Sequence, residues 1–173
     1  MALLQLLALP VLGIIAWEDL RERSIRWWWL PVLLLLLAAP LWGQVSGTET
    51  GLSAAFNLCF LVLQCSAALA LVMLRRGRWE NPLRQWIGIG DLLFLLVVAL
   101  ALPTWSFLLY YLSGLLLCIP AHFALLRLRP EGDRSVPLAG LLAIHLGVWL
   151  LLSHAGVLPE WPTVLPFSAY AHG

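Results

Sequence analysis

Charged residues along this chain gather in short segments, and the stretches between them are almost uniformly apolar. The first apolar run, residues 2–17, ends at Glu18-Asp19-Leu20-Arg21-Glu22-Arg23-Ser24-Ile25-Arg26. No basic residue precedes it and no A-x-A site follows it, so it is expected to stay in place as a first helix rather than be removed as a signal peptide. A second helix is expected over 27–42, opening on Trp27, Trp28 and Trp29. Residues 43–51 form a polar turn by composition, and a third helix is expected over 52–74.

The next run decides the helix count. Residues 92–126 carry no charge over 35 positions. One helix of that length would span about 50 Å, beyond a hydrocarbon core of about 30 Å. The run must fold back, and Pro103 is the natural break. That predicts helices over 87–102 and 104–126, and a sixth over 136–153. The remaining tail holds Pro159, Pro162 and Pro166, is too broken for a seventh span and is expected at the interface. Residues 1–155 thus form one six-helix membrane domain, and 156–173 a Pro-containing tail.

Composition agrees. Of 173 residues, 62% are hydrophobic and 11% charged, with a mean hydropathy of +0.92. Soluble domains carry about 25% charged residues, so a cytosolic enzyme, a disordered chain and a nucleic-acid binder are all excluded as expectations. The lipid bilayer is the expected surrounding. All ten basic residues are arginine, in three groups: Arg21, Arg23 and Arg26; Arg75, Arg76, Arg78 and Arg84; Arg127, Arg129 and Arg134. Six helices put the three groups on one side, which the positive-inside rule makes cytoplasmic. Both termini then face outward, as in a multi-pass protein of the cytoplasmic (inner) membrane.

Cys59, Cys65 and Cys118 lie in apolar runs without C-x-x-C spacing and are expected to be buried, inert thiols. His122 and His145 show no zinc spacing and are expected to pack or sit at an interface. Most tryptophans fall near expected helix ends, as an interfacial belt requires. No metal or cofactor is implied.

The acids are more informative. Glu49 and Glu160 fall on the outer side, and Glu80, Glu131 and Asp133 in inner loops. Asp91 lies about one turn inside the fourth helix, after Gly88-Ile89-Gly90. An ionisable group within a span is costly and faces protein or a water-filled cavity. Gly88 and Gly90 leave room for another backbone to approach. Peptide hydrolysis by carboxylates needs two of them, one holding a proton and one activating water. Membrane depth puts the end of the first helix level with Asp91. Glu18 and Asp19 both stand there, about 100° apart around the helix, and helix geometry does not choose between them.

Gly88-Ile89-Gly90-Asp91 resembles the G-x-G-D motif of the prepilin peptidases (type IV leader peptidases), which are membrane aspartic proteases. Their first aspartate opens a D-x-R-x-x-x-I-P-N stretch, and Asp19-Leu20-Arg21-Glu22-Arg23-Ser24-Ile25 matches its first seven positions. Val136-Pro137-Leu138-Ala139-Gly140-Leu141 resembles the stretch entering the family's last helix. The resemblance covers roughly residues 1–155. It implies Asp19 and Asp91 as catalytic residues, with Gly88, Gly90, Arg21, Arg23, Ile25 and Pro137 binding substrate or supporting the site. It implies no cofactor and no metal. The implied substrate is a prepilin, pseudopilin or archaellin-like precursor, trimmed of its leader at the cytoplasmic face in type IV pilus assembly or protein secretion. Arg26-Trp27 replace the family's Pro-Asn, Leu92-Leu93 replace its Val-Lys, and the paired C-x-x-C loop of the methylating members is missing. The pattern is that of the minimal, peptidase-only form. The alternatives are an inert homologue or pilin-assembly factor, and a small proton-coupled transporter using Asp91.

Overall fold

A computed structural model describes residues 2–41, 46–76, 88–128 and 137–157. Among these the chain is all-helical, with six helices and no strand. They are α1 (Ala2–Glu22), α2 (Trp29–Ala38), α3 (Gly47–Arg76), α4 (Ile89–Ala101), α5 (Thr104–Leu128) and α6 (Leu138–His154). A 3-10 turn, Ala39–Leu41, extends α2. Within α3 and α5, Gly47–Leu71 and Thr104–Ala121 are each long and apolar enough to cross a membrane. Of the second and third arginine groups, Arg75 and Arg76 end α3 and Arg127 falls in the last turn of α5, while the expected placements of Arg78, Arg84, Arg129 and Arg134 and of the tail beyond 157 lie outside the described residues.

The break at Pro103 is as expected. Leu102 is extended, and α5 starts one residue after the proline. Asn57 of α3, 1% exposed, donates to the carbonyls of Ala99 and Leu102, which the end of α4 leaves without helical partners.

Two boundaries differ from expectation. α1 runs on through the charged segment to Glu22, because Glu18 and Asp19 find partners on other segments. α3 begins at Gly47, inside the expected polar turn. Ser46 Oγ accepts the Glu49 N–H at 3.3 Å, and Ser46 with Glu49 has the spacing of a capping box. From Ser46 onward, the polar residues of that segment belong to a helix start rather than a loop.

α1 lies most extensively against α6 and also packs on α2; α4 contacts α2, α3 and α6. Small residues let α1 and α6 approach: Gly140, Ala143 and Gly147 share one face of α6, and Ala8 and Ala16 are buried on α1. Ile15, Leu33, Phe94, Val98, Phe107, Leu142 and Leu146 fill the centre. α3 is the most peripheral helix, so the expectation of three buried thiols fails there. Cys59 is exposed, Cys65 is half-buried, and Cys118 alone is buried.

Candidate active site

Three helix ends converge at the site: the last turn of α1 and the first turns of α4 and α6. Asp19 is the fourth residue from the end of α1 and is 6% exposed. After Glu22 the chain reverses at Arg23, whose φ of 51° is left-handed and whose N–H returns to the Asp19 carbonyl at 3.0 Å. This tight exit turns the chain towards α4. Ile25 then rests against Gly90, where an added Cβ would lie 3.3 Å from Ile25 Cδ1.

Asp91 is the third residue of α4 and reaches back to the N–H of Gly88, the residue capping that helix. A Cβ on Gly88 would stand 2.9 Å from Asp91 Oδ2, so the glycine leaves the space the carboxylate fills. The start of α6 completes the arrangement. Pro137 caps α6 without any side-chain hydrogen bond of its own. The free amides of its first turn are taken by carboxylates from elsewhere in the chain. Ala139 N–H donates to Asp91 Oδ1 at 2.7 Å, and Gly140 N–H donates to Asp19 Oδ2 at 2.6 Å. Adjacent amides therefore hold the two aspartates side by side, close enough for their charges to repel. The partial positive charge at the starts of α4 and α6 offsets part of that repulsion.

The choice between Glu18 and Asp19 is settled by direction. Glu18 turns back on its own loop, where it accepts the Arg26 N–H at 3.1 Å and lies 3.5 Å from Arg26 Nε. Asp19 is the carboxylate that meets Asp91. Among the expected supporting residues, Gly88, Gly90, Ile25 and Pro137 all line this junction, and Arg23 lies within electrostatic reach of Asp19. Arg21 points elsewhere, with its guanidinium 5.6 Å from the centre of the exposed Trp17 ring. Their i, i+4 spacing places these two side chains one turn apart on the outer face of α1.

Sequence reasoning missed the amides of Ala139 and Gly140, since a backbone group has no side-chain signature. The sequence hid this further by offering Ser135 as a cap for a helix starting at 136, whereas α6 is capped by Pro137, which has no side-chain acceptor to give its first amides.

A carboxylate that gives one oxygen to a backbone amide keeps lone pairs on the other for water. Two such groups side by side can hold one proton between them and activate a water molecule. No family model, curated protein or solved structure matches the chain.

Proposed function

We propose that this chain is a membrane-embedded aspartic endopeptidase of the prepilin-peptidase kind. It removes the leader of prepilin, pseudopilin or archaellin-like precursors at the cytoplasmic face of the inner membrane. All six helices cross or enter the bilayer, the arginine segments are cytoplasmic, and both termini are outside. The apolar outward faces of the helices support that placement, among them Leu63 and Leu74 on α3, Leu116 on α5 and Val148 on α6.

The observation that carries the proposal is the meeting of Asp19 and Asp91 on the adjacent amides of Gly140 and Ala139. In the reaction, the ionised aspartate takes a proton from water, and the water oxygen attacks the scissile carbonyl. The protonated aspartate gives its proton to the carbonyl oxygen. Collapse of the tetrahedral intermediate breaks the C–N bond, and the amine leaves with a proton from the pair. The two carboxylates titrate as one unit, so acid and base are roles of the pair.

A second reading has one observation in its favour. Both carboxylates already cap α6, which is a structural task an inert homologue would also need. Incubation of the purified protein in detergent with a candidate precursor separates the two. Release of a leader and a new mature N-terminus, read by mass spectrometry, supports the peptidase. A precursor left intact supports the inert homologue.

A further inference from the structure

We infer that Tyr110 and His145 are positioning residues that fix the register of α6 and so hold the aspartate pair together. The inference rests on the peptidase reading above. Neither residue touches the carboxylates. His145 stands five residues beyond Gly140, about 7.5 Å along the helix.

Three contacts with α5 fall within one short stretch of α6. Tyr110, fully buried, donates its hydroxyl to the Leu142 carbonyl at 2.9 Å. Its ring stacks on His145 at 5.3 Å and 15°. Ser113 Oγ lies 2.9 Å from His145 Nε2 and 2.6 Å from the Leu109 carbonyl. The single hydroxyl proton goes to that carbonyl, which leaves His145 Nε2–H as the donor to Ser113. Gly114 admits the third contact: a Cβ there would meet Leu142 at 2.6 Å and His145 at 3.3 Å.

A slide of α6 without rotation, or a rotation without a slide, would take the Ala139 and Gly140 amides off their carboxylates. A one-residue screw, about 1.5 Å with about 100° of rotation, would put a neighbouring amide on each carboxylate in place of the native one. Hydrogen bonds to a main-chain carbonyl and to a side chain on a facing helix oppose that slide and rotation in a way apolar packing alone does not. Trp149, edge-on to His145 at 6.0 Å, closes the far side of the imidazole.

The test reads register without needing activity. A Cβ on Gly140 would lie 3.3 Å from Asp19 Cβ, close to the roughly 3.5–4.5 Å found across disulfides. In the full chain with Cys59, Cys65 and Cys118 changed to Ala, Asp19→Cys with Gly140→Cys is expected to cross-link under mild oxidation at a baseline rate, the contact of the new Cβ with the Ala16 carbonyl being the same in every variant compared. Tyr110→Phe, which keeps the ring, and His145→Leu are each expected to slow cross-linking about tenfold, the population change that losing one hydrogen bond supports. His145→Gln retains an N–H donor and is expected to keep the parent rate. In protein with both aspartates intact, Tyr110→Phe is expected to lower kcat for leader removal about tenfold with KM within about twofold. Cross-linking unchanged in both Tyr110→Phe and His145→Leu would overturn the inference. Absence of leader removal in the parent would instead overturn the peptidase reading, while the cross-linking rates still decide whether these residues set the register.

Discussion

Asp19 and Asp91 accept hydrogen bonds from neighbouring amides of a single helical turn, Gly140 at 2.6 Å and Ala139 at 2.7 Å. α6 supplies no side-chain cap, and the carboxylates of α1 and α4 stand in for it. Capping and carboxylate pairing are thus one arrangement, and whatever moves the start of α6 moves both acids.

Gly140 is the most sensitive point of that arrangement. A Cβ there would sit 3.0 Å from Asp19 Oδ2 and 3.3 Å from the Ala16 carbonyl, and a backbone atom within a packed helix has little room to yield. Gly140→Ala is expected to cost about 1–3 kcal/mol of stability and to reduce cleavage at least tenfold. Gly147→Ala, whose Cβ would make an ordinary 3.7 Å contact with Leu9, is expected to be tolerated. Thermal denaturation in detergent, run beside the cleavage assay, compares the two.

Gly90 and Ile25 form a matched pair. Gly90→Ala brings a Cβ within 3.3 Å of Ile25 Cδ1, so it should impair activity by displacing the turn after Asp19. Ile25→Val removes that terminal methyl. The double variant is therefore expected to recover much of the lost activity, with a coupling energy of about 0.5–3 kcal/mol in a double-mutant cycle. Strictly additive losses would contradict the contact.

Glu18 shapes the same turn without joining the aspartate pair. Its carboxylate holds the Arg26 N–H and lies beside the Arg26 side chain. Glu18→Ala removes both contacts and is expected to lower activity several-fold. Glu18→Gln retains an acceptor and should fall between the parent and Glu18→Ala. Equal loss in the two variants would point to charge, not the hydrogen bond, as what matters there.

Asn57 is expected to act on stability alone. It satisfies two carbonyls at the end of α4, on the side of the fold away from the carboxylates. Asn57→Ala strands both acceptors in a buried setting and should cost about 2 kcal/mol or more. A lower denaturation midpoint with little change in kcat per folded molecule is the expected reading.

Much of the helical layout was legible because charge and proline interrupt long apolar runs. Pro103 divided α4 from α5 without help from any tertiary contact. The start of α3 was less legible: Ser46 and Glu49 carry a capping signal inside a segment whose Gly and Thr content resembles a loop. The level of Asp19 with Asp91 followed from membrane depth, but their junction did not, because the groups that join them are main-chain amides. The direction of Glu18 was equally hidden. A 100° difference around α1 has meaning only once Arg26 has folded back beneath it. Arg21 shows the reverse case, a residue in the matched motif that the helix turns outward onto Trp17.

The most direct measurement is leader removal by the purified parent beside Asp19→Asn and Asp91→Asn. Each asparagine keeps an oxygen that can accept the α6 amide, so both variants should fold and still cap α6. The expected result is cleavage by the parent and a fall of at least about 10²–10⁴-fold in each variant, the range lost with a general acid or base. Cleavage retained by either folded variant would contradict the claim that Asp19 and Asp91 together activate water.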